Sequence, residues 1–279
     1  MQEKIKIQEN TIMETLVFPL YGRAYCSKLY PDIFPDKEAE ALIDRIEFDF
    51  GYIDSLNMKT IEYAVRKRML CDRAKEYLVK KPGATVVNLG CGLDNSFSDV
   101  DNGRCRWINL DLPEIIEVRK SLLKLREREK NAPYSAFDTS WFHEVETSPE
   151  DGLFVISGGV LIYFDDDTVK GLFTSLAGKY PGGGICFDAR NEAGIFSTNK
   201  FIEKSGYSSK CHLAVNSARQ KFSEWSDKFV TVSTFRRLPE DVRNAESIPF
   251  TTRQEMAFAM KMGYFKIIEI GFAGSGEHN

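Results

Sequence analysis

Gly90, Gly92 and Asp111 stand at the spacing of a nucleotide-handling turn. The glycines follow at once on Thr85-Val86-Val87-Asn88-Leu89, a short β-branched run of the kind used by a strand buried in a parallel sheet. Glycine lets the chain turn sharply there and lets a ligand approach the backbone. A second such run, Arg106-Trp107-Ile108-Asn109-Leu110, ends on Asp111, 19 residues beyond Gly92. A glycine turn after one strand and an acid at the tip of the next is the layout in which the acid takes ribose hydroxyls. Blander readings compete with this one. Glycine turns without ligands are common, and Asp111 would also serve as the N-cap of a helix opening at Pro113.

The turn is not the dinucleotide fingerprint. GxGxxG needs a third glycine at position 95, where Asn95 stands, and that glycine serves close helix–strand packing. A dinucleotide-dependent oxidoreductase is therefore disfavoured. S-adenosylmethionine suits the pattern better: its ribose wants a carboxylate, and its zwitterionic tail can lie against a glycine turn without a pyrophosphate.

The elements needed to position these residues are legible around them. Residues 11–30 predict a helical approach segment ending at Pro31, and Asp36 an N-cap for a helix running to about Ile46. Residues 59–80 predict a longer helix, with Ile61, Ala64, Val65, Met69, Ala74, Tyr77 and Leu78 at helical spacing and Pro82-Gly83 as the stop. It delivers the chain to the first strand, so its side chains can overhang the glycine turn. After Pro113 an amphipathic helix is expected to about Glu129, then a third strand at Ser135-Ala136-Phe137 ending at Asp138. Leu153–Ser157 predicts a fourth strand running into Gly158-Gly159-Val160-Leu161-Ile162-Tyr163-Phe164. A crossover helix over 165–180 and a fifth strand, Ile185–Asp188, follow. Each strand ends in an acid or a small residue: Gly90, Asp111, Asp138, Ser157 with Gly158, and Asp188. In an open α/β sheet that places three acids and two glycine turns on the one rim where ligands bind.

The last third changes character. Residues 191–218 carry weak periodicity and are expected to cover the site as a lid. Lys228–Phe235 predicts a strand, 251–262 a helix capped by Thr251 or Thr252, and Tyr264–Phe272 a final strand. The expected organisation is a single domain over 1–279: a helical cap over 1–58, a cofactor-binding core over 59–188, and a lid with C-terminal strands over 189–279.

Composition narrows the partners. Net charge is −4, and the longest basic cluster is Arg66-Lys67-Arg68, which argues against a nucleic-acid footprint. No 18-residue apolar run occurs, and MQEKIKIQEN lacks the apolar stretch of a secretory signal, so a cytoplasmic protein without a membrane span is expected. Cys26, Cys71, Cys91, Cys105, Cys186 and Cys211 form no CxxC pair, so buried free thiols are expected and no metal site. His143, His212 and His278 show no triad or metal spacing. The run Asp165-Asp166-Asp167 reads as helix capping.

Taken together, NLGCGLD, NLDLPE, FDTSW, SGGVLIYF and FDARN resemble the leucine carboxyl methyltransferase family, nearest its bacterial polyketide O-methyltransferase branch. The resemblance runs over residues 15–188, including TLVFPLYGRA. It implies the class I S-adenosylmethionine-dependent methyltransferase fold, a Rossmann-like seven-stranded sheet with helices on both faces and the last strand antiparallel. It also implies site residues. Gly90 and Gly92 would pass under the methionine part of the cofactor; Asp111, with Leu112 beside it, would hold the ribose. Asp138 and the Thr139 backbone would face the adenine, Arg66 would grip the cofactor carboxylate, and Arg23 would lie near it. The family usually has Glu where this chain has Gly158, and Ser157 or backbone carbonyls would take over at the cofactor's amino group.

The sulfonium methyl is already activated, so in-line transfer needs positioning and exclusion of water more than acid–base chemistry. The acceptor is expected to be a small molecule bearing a carboxylate or hydroxyl. A protein C-terminal carboxyl, or a diverged non-catalytic role, are the alternatives. A carboxylate acceptor needs no base; a hydroxyl would need one, with Tyr163 or His212 as weak candidates. Arg66 read without the resemblance is a solvated helix face, Asp138 a turn cap, Tyr163 core filling and Asp94 a loop brace. Oligomeric state is not legible.

Overall fold

A computed structural model describes residues 4–7, 16–55, 60–148, 150–204 and 209–275. At the N-terminal end, β1 (Ile5–Lys6) pairs in parallel with β2 (Ile46–Glu47). Between them run α1 (Val17–Leu29) and α2 (Lys37–Ile43); α3 (Phe50–Ser55) follows β2. Asp36 caps α2 as its type suggests, accepting from the Ala39 N–H at 2.9 Å. The expected helical residues 11–15 lie outside the described ones. α4 (Ile61–Lys80) buries Ile61, Ala64, Val65, Met69, Leu70, Ala74 and Leu78, the stripe its spacing predicts, and ends just before Pro82.

The chain then enters a seven-stranded sheet. Its strands are β3 (Thr85–Leu89), β4 (Arg106–Asp111), β5 (Glu129–Pro133), β6 (Leu153–Ser157), β7 (Gly184–Ala189), β8 (Phe229–Phe235) and β9 (Lys266–Phe272). They lie in the order β5-β4-β3-β6-β7-β9-β8, with β9 antiparallel to both neighbours and the others parallel. From β3 the chain steps outward through β4 and β5, then returns and steps the other way through β6 and β7. The reversal puts a crevice between the carboxyl ends of β3 and β6. This is the strand order and the antiparallel last strand of the class I methyltransferase fold.

β3, β6 and β7 are buried at every position, as strands covered on both faces must be. Alternation divides their side chains. Val86, Phe154 and Ile267 meet Val65 and Ala74 of α4 and Met260 of α11 (Phe250–Met262) on one face. Val87, Val155 and Ile268 meet Val169, Leu172 and Phe173 of α7 (Asp166–Lys179) on the other. A third apolar cluster joins Val17, Leu20, Leu42 and Ile46 of the N-terminal elements to Leu93 and Ile115, beside the glycine turn.

Three expectations need correcting. The helix after Pro113, α6, spans Pro113–Leu122 rather than reaching Glu129. The third strand is Glu129–Pro133, not Ser135–Phe137. Its sequence EKNAP sits at the sheet edge with one fully buried side chain, Ala132, so no apolar run marks it. Likewise α11 begins after Pro249, with no side-chain cap from Thr251 or Thr252. The remaining helices are α5 (Phe97–Val100), α8 (Glu192–Lys204), α9 (Ala218–Ser223) and α10 (Glu240–Asn244). All six cysteines are free and buried. No described helix is long and apolar enough to cross a membrane.

Candidate active site

The glycine turn is built by β3 and β4 together. Gly90 and Cys91 donate their N–H groups to the Leu110 carbonyl, at 2.8 and 3.1 Å. Gly90 has φ +70°, and a Cβ there would stand 2.2 Å from Val160 Cγ2, so both backbone and space require glycine. Gly92, with φ +47°, donates to Asp111 Oδ2 at 2.8 Å, while Asp111 Oδ1 accepts the Leu112 N–H at 2.8 Å. The N-cap of α6 is Leu112, without a side-chain cap, so Asp111 serves the turn rather than simple capping. Burial raises the Asp111 pKa above its ordinary value, and the two N–H groups work against that shift. Each oxygen keeps lone pairs for further donors at the half-buried rim.

The turn is braced from behind. Arg119 of α6, buried, donates to the Gly92 carbonyl at 3.1 Å and pairs with Glu129 at 3.3 Å. Asp94 takes the Asn88 amide at 3.0 Å and the Ser96 N–H at 2.7 Å, which is the loop-bracing role. Arg23, 4% exposed, donates to Asp36 and Asn95 at 2.7 Å and to the Leu93 carbonyl at 2.8 Å. Lys67 reaches the same Asp36 and Asn95, at 2.9 and 2.7 Å. Arg23 thus sits one layer behind the crevice with protein partners. Asn95, which breaks the dinucleotide pattern, is the hub joining the N-terminal helices to the loop.

Beyond β5, Asp138 is exposed and accepts the Ser140 N–H at 3.0 Å, capping a short 3-10 helix over Thr139–Glu144. That bond lowers its pKa. Thr139 is exposed beside it. The Phe137 and Phe164 rings, 4.3 Å apart, tie this loop to the one after β6. Ser157 closes the crevice floor by donating to the Leu89 carbonyl at 3.1 Å.

On the other side lies Arg66 of α4. A Cβ on Gly159 (φ +76°) would stand 2.7 Å from Arg66 Nη1, and one on Gly158 would stand 3.3 Å from Nε. The guanidinium therefore rests on the Gly158-Gly159 turn, with the Tyr63 ring 5.2 Å away. Among the described residues its acceptor is Asp188 Oδ2, at 3.5 Å. Asp188 Oδ1 takes the Gly159 N–H at 2.6 Å. Arg190 follows, bonded to Glu62 and to the Tyr264 carbonyl, while its buried Nε has no partner among the described residues.

Tyr163 faces this polar group from a 3-10 turn over Leu161–Tyr163. Burial, helped by Cys211, pushes its pKa up to about 12, so at neutral pH it is a hydrogen-bond donor rather than a base. The described part of the expected lid forms a wall here. The N–H groups of His212 and Leu213 go to the Ile162 carbonyl, and Ile162, Ile195 and Cys211 pack together with Tyr163 against them. The His212 side chain is exposed; residues 205–208 of this segment lie outside the described ones. No cluster of potential metal ligands occurs among the described residues.

The structure places the glycine turn, Asp111, Arg66 and Asp188 around one rim, whereas Asp138 is not at a strand end: β5 stops at Pro133 and Asp138 caps the 3-10 helix beyond it. Sequence reading missed Asn95, Lys67, Arg119, Tyr63 and Arg190. Arg190 had one signal, its place two residues past Asp188 and so on the same side of the exit from β7. The others show their roles only once distant segments meet.

A family model described as leucine carboxyl methyltransferase matches residues 17–177. The tetracenomycin polyketide synthesis O-methyltransferase of Streptomyces glaucescens is 28% identical over 180 residues; the match covers 64% of this chain and 66% of that protein. The chain therefore matches just under two thirds of that relative's length. Among solved structures, a candidate methyltransferase from Thermobifida fusca YX superposes with TM-score 0.53 at 14% identity, over 95% of this chain and 99% of that one. A geranyl diphosphate methyltransferase solved with S-adenosylmethionine reaches TM-score 0.48 at 16% identity, over 81% of this chain and 92% of that one.

Proposed function

The chain belongs to the leucine carboxyl methyltransferase family, a S-adenosylmethionine-dependent methyltransferase by that membership, and from this premise we propose that it O-methylates a small molecule. The observation that carries the cofactor reading is the closed unit of Gly90, Gly92 and Asp111 at the sheet's reversal, with Arg66 across the crevice. In this reading Asp111 takes the ribose hydroxyls beside Leu112, and Asp138 with Thr139 edges the adenine. Ser157, Gly158 and Arg66 would hold the methionine part over the glycine turn, with the Arg66 donors that have no acceptor among the described residues receiving its carboxylate. Arg23 acts from behind, by fixing the loop. The whole chain works as one catalytic unit, and its reduced thiols suit the cytoplasm.

In the transfer, an acceptor oxygen forms a bond to the methyl carbon as the carbon–sulfur bond breaks, and the electron pair stays on sulfur. A carboxylate acceptor has no proton to lose. Tyr163, held protonated, supplies no base, so a carboxylate fits the site better than an unactivated hydroxyl. Tyr163 then orients the acceptor by donation. The net charge of −4 supports a small acceptor over nucleic acid, since phosphate contacts need clustered cations.

Labelled-methyl transfer should be run in parallel on a metabolite extract, a protein extract and RNA. Label in small acids or phenols is the expected result. Label in RNA alone overturns the reading, and label at a protein C-terminal carboxyl moves the acceptor to protein. No label, with S-adenosylhomocysteine still bound, reduces the function to cofactor binding.

A further inference from the structure

Asp188 is 1% exposed at the end of β7. A carboxylate so placed needs both hydrogen bonds and a cation to offset its lost hydration. Its two oxygens divide the work. Oδ1 accepts the Gly159 N–H at 2.6 Å, which fixes the left-handed turn leaving β6. Oδ2 faces Arg66 Nη1 at 3.5 Å, a long contact, and among the described residues the guanidinium's other donors have no acceptor.

The turn that Asp188 fixes is also the surface on which Arg66 lies. A Cβ on Gly159 would stand 2.7, 2.9 and 3.0 Å from Nη1, Nη2 and Cζ, closer than a side chain tolerates. A Cβ on Gly158 would stand 3.3 Å from Nε and 3.1 Å from Leu70 Cδ1. The guanidinium is thus confined between a bare backbone and the Tyr63 ring, with one acidic anchor on a different strand. A second charged link, Glu62 of α4 to Arg190, joins α4 to the chain just past β7.

We propose that Asp188 is a positioning residue for cofactor selection: through the Gly158-Gly159 seat it sets Arg66 to read the amino-acid tail of the cofactor. The inference rests on the cofactor reading above. It assigns Asp188 no contact with the reacting atoms. A side chain at 158 would press on the guanidinium, which would have to shift slightly to make room.

The test compares two ligands by calorimetry. S-adenosylhomocysteine carries the amino-acid tail, and 5′-methylthioadenosine is the same nucleoside without it. Asp188→Asn should weaken S-adenosylhomocysteine by about tenfold or more, the loss of one charge-assisted interaction, and leave methylthioadenosine unchanged. In an Arg66→Ala background the same substitution should change neither ligand, because its effect passes through Arg66. Asp188→Glu should recover part of the loss. Gly158→Ala presses on Arg66 without touching Asp188 and should lower the same affinity ratio, which keeps the test open if Asp188→Asn does not fold. Equal weakening of both ligands, additivity with Arg66→Ala, or a Gly158→Ala protein with an unchanged ratio would overturn the proposal. Wild-type protein that binds neither ligand would instead remove the cofactor reading itself.

Discussion

Asp111 carries two loads, and substitution should separate them. Its carboxylate holds the Gly92 and Leu112 N–H groups, at 2.8 Å each, and in the proposed complex also takes the ribose. Asp111→Ala should weaken S-adenosylhomocysteine by about 2 kcal/mol or more, through lost charge-assisted hydrogen bonds. Calorimetry giving wild-type affinity would remove Asp111 from the site. The pH dependence has a definite sign. Because burial raises its pKa in the folded protein, the charged form costs some stability above that value, and the cost fades as pH falls. Ligand affinity runs the other way. It should begin to drop at a higher pH than an ordinary carboxylate would give, and a Asp111→Asn protein should lose that pH dependence. The glycines and Asp111 were legible because a turn residue and an acid leave local marks. The partners of Arg23 were not, since Asn95 lies 72 residues away in the chain.

At the scale of elements, the network around Asp36 decides how the N-terminal helices grip the cofactor loop. Asp36 is met by Arg23 from α1 and Lys67 from α4, and takes the Asn95 amide at 2.9 Å. Burial opposes its charge, but the two cations and the Ala39 N–H hold its pKa well below the carboxylate range. Removing it leaves the buried Arg23 without its carboxylate partner, while Lys67 keeps Asp99 at 2.8 Å, so Asp36→Ala should cost about 3 kcal/mol in chemical denaturation. A depressed folded pKa means the stabilisation is complete above the unfolded value, about 3.9, and is lost as pH falls below it. The wild-type protein should therefore lose more stability on acidification through that range than the Asp36→Ala protein does. A difference between the two that stays constant down to pH 3 would contradict the ion-pair account. Sequence revealed β3, β6 and β7 because buried parallel strands are apolar throughout. It hid β5 because an edge strand reading EKNAP is polar. The end of α6 was hidden for a related reason: Lys124-Leu125-Arg126-Glu127 are good helix formers, and position in the fold overrides their propensity.

For the molecule as a whole, ligand binding and folding are one equilibrium. S-adenosylhomocysteine at about 100 times its dissociation constant should add about 2.7 kcal/mol of stability, seen as a rise in melting temperature. The Asp111→Ala protein at the same concentration should show a much smaller rise. No rise in the wild type, with the protein folded, would argue against the crevice as a nucleoside site.

The buried thiols give the fold a built-in clock. Burial pushes Cys26 and Cys71 up to about 12 and Cys211 up to about 11, so at neutral pH almost no thiolate exists for a reagent to meet. A thiol-reactive dye therefore records openings of the structure, not accessible surface. Cys211 lies in the wall beside Tyr163, whereas Cys26, Cys71, Cys105 and Cys186 sit together with the α4 face of the sheet. If the wall opens on its own to admit an acceptor, Cys211 should colour first and alone. If all the thiols colour together, the acceptor's door and the fold itself share one hinge.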